Sequence, residues 1–260
     1  MSKKEQRQKD LERIKALRLM DDDFMNVCFN DYIEGAELLL KIILDRDDLE
    51  VSEVKTQKKI TNVLGRSLYL DIYATDKEGT KYDIEIQRAD KGAVRERARF
   101  HSSLLDSDML NKGKDFSDIK QNYVIFITEN DVLGFGLPIY HVDRVIREAN
   151  VQFSDGEHIL YVNGAIKARD TALGRLMSDF YCTNADDMCY EELANKVRHY
   201  KETEEGVDKM CEIWEEVKND VRIEVAMELI KDGELSFEKI AKCSGLTIEQ
   251  VRELAGNKSA

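Results

Sequence analysis

The chain has 260 residues, 42% of them hydrophobic and 35% charged, with a formal net charge of −13. That length supports one substantial core with a smaller appended unit, and no apolar run approaches the roughly 20 residues that a membrane span needs. The acidity opposes wholesale polyanion binding, and five scattered cysteines with no Cys-x-x-Cys pair argue against both a disulfide framework and a zinc site.

In chain order, residues 1–20 are a basic, amphipathic lead-in carrying Lys3, Lys4, Arg7, Lys9, Arg13, Lys15 and Arg18. No apolar stretch follows the start, so no secretory signal is expected, and the expected setting is reducing and cytoplasmic. From about Asp23 to Leu44, apolar residues recur at helical spacing, which predicts one helix, or two with a break near Asn30-Asp31. Val51–Ile60 has the pattern of a first strand, followed by a turn at Gly65. A hairpin comes next, then a helix from Ala93 to about Leu110. The run Tyr123–Thr128 suits a buried strand, and the loop Gly134–Pro138 shapes its exit. A second hairpin is predicted over Gln152–Tyr161, turning at Asp155-Gly156. From Thr171 onward the pattern is helical throughout, with Met188, Met210, Trp214 and Met227 at core-like positions.

The first hairpin carries the most chemistry. Tyr69–Tyr73 and Tyr82–Gln87 alternate polar and apolar residues, and Asp76–Thr80 joins them with Gly79 in the left-handed position. Counting back from an Asp76–Thr80 pair sets Asp71 opposite Glu85, with Cβ atoms roughly 4.5–5.5 Å apart. Two carboxylates that close repel unless a cation lies between them, and a divalent ion with oxygen ligands answers the need. A solvated acidic sheet face is the competing reading.

The order α-β-β-β-α-β, with Asp on the second strand and Glu-x-Gln on the third, resembles the PD-(D/E)XK nuclease superfamily. The segments Arg66–Ala74, Tyr82–Arg88, Arg97–Asp106, Tyr123–Thr128, Gly134–Tyr140 and Thr171–Met177 are together similar to its bacterial transposase-like branch, over roughly residues 20 to 215. The resemblance implies an α/β, restriction-endonuclease-like αβββαβ core with a mixed central sheet and a mostly helical C-terminal region. It also implies an Mg²⁺-dependent DNA endonuclease acting in recombination, mobile-element biology or defence against foreign DNA, with Mn²⁺ as a substitute ion. Asp71 and Glu85 would ligate the ion together with the Ile86 carbonyl, and Asp71, Glu85 and Gln87 would form the catalytic set. Gln87 stands where the superfamily pattern has Lys, and a neutral amide can hold a water but cannot usefully exchange a proton. An acid on the first helix often assists; Glu34 and Glu37 are the candidates. On the helix after the third strand, Arg95, Arg97 and Arg99 are candidate phosphate contacts, or else a solvated face. His101 is expected to make local hydrogen bonds.

The organisation expected is a lead-in (1–20), a nuclease-like core (21–165), a helical extension (166–232) and a helix-turn-helix-like segment (233–256). In the last, Thr247 and Gln250 form a capping box. That segment serves either DNA readout through Gln250 and Arg252 or packing, and a homo-oligomer through the C-terminal helices is a further expectation. DNA is the expected partner and a membrane is not. Two other functions compete: a catalytically weak nuclease fold that binds DNA or protein, and a metal-independent scaffold.

Overall fold

The computed structural model describes residues 3–62, 65–110 and 113–256, so the first two residues of the basic lead-in lie outside the described residues. Two compact units emerge, one of residues 15–198 and one combining 1–14 with 199–260. No helix among the described residues is long and apolar enough to cross a membrane.

The chain opens with α1 (Lys3–Ala16), α2 (Asp22–Phe29) and α3 (Ile33–Leu44). The helical stretch before the sheet is thus two helices. They break at Asn30-Asp31, where Asp31 takes a positive φ of 53° that a continuing helix cannot accommodate. Next come β1 (Val51–Ile60), β2 (Leu68–Asp76), β3 (Lys81–Gln87), α4 (Arg95–Met109) and β4 (Asn122–Thr128). After them follow β5 (Ile139–Val142), β6 (Val145–Ile146), β7 (Val151–Gln152) and β8 (Glu157–Asn163). Six strands form one mixed sheet in the order β1-β2-β3-β4-β8-β5. β3, β4 and β8 run parallel, while β1, β2 and β5 pair antiparallel with their neighbours. α4 supplies the crossover that parallel β3 and β4 require. This is the restriction-endonuclease-like core.

The β2–β3 turn closes as its sequence predicts. Gly79 has φ +90°, the Asp76 amide donates to the Thr80 carbonyl at 3.2 Å, and Asp76 Oδ1 accepts from the amides of Glu78 and Thr80. Ile72 then faces Ile84 and Tyr73 faces Asp83, the register that carries Asp71 toward Glu85. The solvated-face reading fails here, because Tyr82 to Ile86 are all buried.

The second hairpin does not form. Val151–Gln152 pairs instead with Val145–Ile146, and Glu157–Asn163 enters the main sheet beside β4. The cause lies at the expected turn. The Gly156 carbonyl accepts from the Asn122 amide at 2.9 Å and Arg144 clamps Asp155, so the chain is steered into the sheet, where Leu160 to Asn163 are buried. Pro138 precedes a strand that the pattern misses, β5, and its carbonyl accepts from the Asn163 amide at 3.0 Å.

Beyond the sheet lie α5 (Ala172–Tyr181), α6 (Glu191–Glu202), α7 (Glu204–Asp232), α8 (Phe237–Ser244) and α9 (Ile248–Gly256). In the C-terminal unit Ala226, Ile240, Ala241, Leu246 and Val251 make a small core. The capping box is complete: the Gln250 amide donates to Thr247 Oγ1, and Gln250 Oε1 accepts from the Thr247 amide. Met210 is buried as its spacing suggests, but Met227 is 42% exposed.

Candidate active site

The β2–β3 ladder runs as far as Ile72–Ile84, and beyond that point carboxylates step in for main-chain partners. The Asp71 amide donates to Glu85 Oε1 at 3.1 Å, and the Ile86 amide donates to Asp71 Oδ2 at 3.0 Å. Main-chain N–H and C=O of one strand residue point the same way, so the Ile86 carbonyl also faces the Asp71 side. The period-2 pleat places Asp83, Glu85 and Gln87 on one face of β3, and α4 covers it.

From α4, Arg97 reaches the Glu85 carboxylate, donates to the Gly92 carbonyl at 3.0 Å and donates through Nε to His101 Nε2 at 3.1 Å. With Nε2 thus accepting, the network assigns the proton to Nδ1, which donates to Asp83 Oδ2 at 2.7 Å. Phe126, the register partner of Glu85, lies with its ring 5.6 Å from the Arg97 guanidinium. Asp83, Glu85 and His101 are each 0% exposed, and among the described residues Asp83 Oδ1 has no hydrogen-bond partner. One guanidinium faces three carboxylates. The cluster is short of positive charge.

The titration behaviour follows. Burial, then the charge of Glu85, pushes the Asp71 carboxyl up to about 7, and Asp22 in the first turn of α2 adds to the push. Burial, then Asp83, pushes Glu85 up to about 8; burial pushes Asp83 itself up to about 8. Burial lowers His101 below the ordinary imidazole range, in keeping with a neutral ring. A carboxyl whose pKa is raised by folding binds its proton more tightly in the native state, so its contribution to stability is lost as pH rises through the folded value. In chelator, the melting temperature is therefore expected to fall from about pH 4, near the ordinary carboxylate values, to about pH 8, the folded value, and Glu85→Gln to flatten that fall. A flat wild-type profile in differential scanning calorimetry would show that the cluster is not under charge stress.

The other candidate residues spread out. Gln87 folds so closely against Gly92 that a Cβ there would collide with Gln87 Oε1. Arg95 and Arg99 are exposed on α4, away from the Arg97 network. Glu37 is engaged elsewhere, bonded to Lys41 at 2.7 Å and to the Val51 amide at 3.0 Å. Val51 pairs with Asp76, five residues along β2 from Asp71 and so about 16 Å away. Glu34 lies in the first turn of α3. The helical acid that senses Asp71 is Asp22, one helix earlier than the Glu34 and Glu37 that the sequence suggests. Asp83 stands in the pleat two residues before Glu85, and parity alone could have found it.

Asp83, Glu85 and His101 also place one ligand atom each within 4.8 Å of one another. The hydrogen bond that His101 Nε2 accepts from Arg97 opposes a metal there, since metallation at Nδ1 would require the proton on Nε2. The pair Asp71 and Glu85, all oxygen and beside the Ile86 carbonyl, is the better fit to a hard divalent ion.

No curated protein and no solved structure matches the chain. A family model does, over residues 36–231, which takes in β1 to β8 and the helices through most of α7. With that match spanning most of the chain, and the acidic hairpin lying inside it, the chain belongs to the PD-(D/E)XK nuclease family transposases.

Proposed function

We propose that the chain is a divalent-metal-dependent DNA endonuclease that hydrolyses phosphodiester bonds, with Mg²⁺ or Mn²⁺ held by Asp71, Glu85 and the Ile86 carbonyl. The observation that carries this reading is the convergence of a buried carboxylate, Glu85, and a half-buried one, Asp71, both titrating well above their usual range, beside the Arg97 guanidinium. Nucleases of this superfamily use divalent metals, and such an ion supplies Lewis acidity toward a phosphoryl oxygen and a bound water of lowered pKa. Glu85 is fixed by the Asp71 amide and Arg97, so its carboxylate does not have to be ordered when the site is charged. Gln87 can orient a water through its amide but cannot take its proton. Asp22 is the nearby acid that supplements the pair. Arg95 and Arg99, exposed on α4, offer guanidinium forks to the DNA backbone, and Arg97 holds Glu85. Recombination or mobile-element defence in a bacterial cytoplasm is the proposed setting.

Nicking of supercoiled plasmid in Mg²⁺ or Mn²⁺, and none in chelator, is the expected result. Equal inertness in every metal would favour the second reading, a DNA- or protein-binding module. The specific observation behind that reading is Gln87 in the Lys position. In such a module the exposed Gln250 and Arg252 of α9 would meet DNA, although Glu249 and Glu253 beside them repel phosphates.

Gly92→Ala tests the Gln87 role. The added Cβ must displace the Gln87 amide, and a displacement of about 1 Å in a positioning group costs up to about 100-fold in rate. The expected result is a loss of about 10- to 100-fold in nicking with a stability change below about 1 kcal/mol. An unchanged rate would remove Gln87 from the catalytic set.

A further inference from the structure

The six-stranded sheet has two outer edges, and they are protected differently. β1 carries Lys55, Lys58 and Lys59, charges that discourage another strand from adding. β5 carries no such charge. Because the Pro138 carbonyl bonds to β8, antiparallel alternation turns the main-chain groups of Ile139 and His141 outward. Among the described residues, no strand pairs with that outer side.

Large apolar side chains lie exposed along the same edge. Phe135 (73% exposed) and Leu137 (53%) precede β5, Val142 lies on it, and Val145, Val151 and Phe153 follow in the β6–β7 hairpin. Beside Val142 a mostly apolar recess of about 300 Å³ opens, lined also by Ala98, Leu133, Ile159 and Tyr161, with Arg95 as its one charged residue. A monomer seldom leaves so much apolar surface on one side.

We infer that this edge is the interface with a second copy of the chain, joined by antiparallel pairing of β5 with β5 across a two-fold axis. Symmetry supplies the first argument. Antiparallel pairing reverses one copy against the other, so the 135–137 loop of each comes to the 145–153 hairpin of its partner. One operation therefore covers both apolar flanks, as an isologous interface requires. Charge supplies the second. β5 itself and the exposed apolar residues that flank it carry no charge, and nearby acids are engaged within the chain, Asp131 with Tyr140, Asp143 with His158, and Asp155 and Glu157 with Arg144. Two copies of an acidic protein approach at least cost where each is locally neutral. α7 offers the contrasting surface. Its exposed Val217, Val221 and Val225 form a stripe at four-residue spacing, but the helix carries ten carboxylates against four cations. Two such helices repel.

The inference is independent of the nuclease reading, since neither metal nor DNA enters it. Sedimentation equilibrium of the full chain tests it, with Val142→Lys and Phe135→Ser on the β5 edge and Val221→Lys on α7. A dimer at tens of micromolar is expected for the unaltered chain, its affinity changing little between about 0.1 and 0.5 M salt because the pairing strands bring no Asp, Glu, Lys or Arg together. Either β5-edge change should weaken association at least tenfold with an unaltered melting temperature. Phe135→Ser, outside every strand, keeps the test valid if Val142→Lys disturbs folding. Val221→Lys should leave the dimer intact. A monomer at about 0.1 mM overturns the inference. So does a dimer that survives both β5-edge changes and dissociates in Val221→Lys, an outcome that would assign self-association to the C-terminal helices.

Discussion

Asp71→Asn and Glu85→Gln are each expected to cut metal-dependent nicking by about a hundred- to a thousandfold, while leaving the metal-free protein as stable as the parent or more so. The two halves of that expectation have one cause. Removing a ligand charge takes away the electrostatic anchor of the cation, and losing a preorganised charge-stabilising group in such sites costs about 10²–10³ in rate. The same removal relieves a repulsion, since burial and mutual charge hold Asp71 near 7 and Glu85 near 8. Asn and Gln retain an acceptor oxygen for the Ile86 and Asp71 amides, so the local hydrogen bonds persist. The measurement is a plasmid-nicking time course alongside calorimetry at pH 8 in chelator. Wild-type nicking by Asp71→Asn would sink the two-carboxylate site. Lost activity accompanied by a large drop in melting temperature would mean only that the fold had failed.

Arg97→Ala has the opposite thermodynamic sign and a comparable size. Glu85 is 0% exposed, titrates near 8 and has Arg97 as its guanidinium partner, so at about pH 9, where it is ionised, truncation leaves a buried carboxylate uncompensated. Breaking such a pair from one side costs about 3–5 kcal/mol, equivalent to roughly 10 °C in melting temperature for a protein of this size. Arg97→Lys is expected to recover only part of the loss. A lysine keeps the charge but cannot reach the Gly92 carbonyl, His101 and Glu85 together as the guanidinium fork does. The double change Arg97→Met with Glu85→Gln should restore most of the stability, because no buried charge is then stranded. A cost below about 1 kcal/mol for Arg97→Ala would show that Glu85 is neutral in the folded protein and needs no partner.

Parity and turn chemistry make the acidic hairpin legible in the sequence itself. Gly79 and the Asp76 side chain fix the turn, the turn fixes the register, and the register carries Asp71 to Glu85. These are interactions among near neighbours in the chain, so local rules suffice. The same holds for the helix caps: Thr247 and Gln250 bond each other across three residues wherever the helix packs. The core order α-β-β-β-α-β is legible for a similar reason, since each element announces itself by its own period.

Long-range partners decided the rest. The segment Gln152–Tyr161 looks like a hairpin in isolation, but the Asn122 amide and Arg144 claim its turn and β4 claims its second half. β5 is four residues long, too short for a period to be read, and becomes a strand only because β8 is beside it. At the proposed site, the sequence places Asp71 opposite Glu85 but says nothing of their surroundings. Arg97 reads there as a phosphate contact, whereas the packing of α4 on β3 aims it at Glu85 and ties His101 to Asp83. The assisting acid followed the same course. Glu37 lies on a suitable helix but at the wrong end of β1, and Asp22 comes near Asp71 through the way α2 packs. What the sequence determined by itself was which residues could bear charge and how their own strands present them. Which charges share a buried site was decided by the tertiary structure, because burial and the distances between elements far apart in the chain exist only once the sheet and helices have come together.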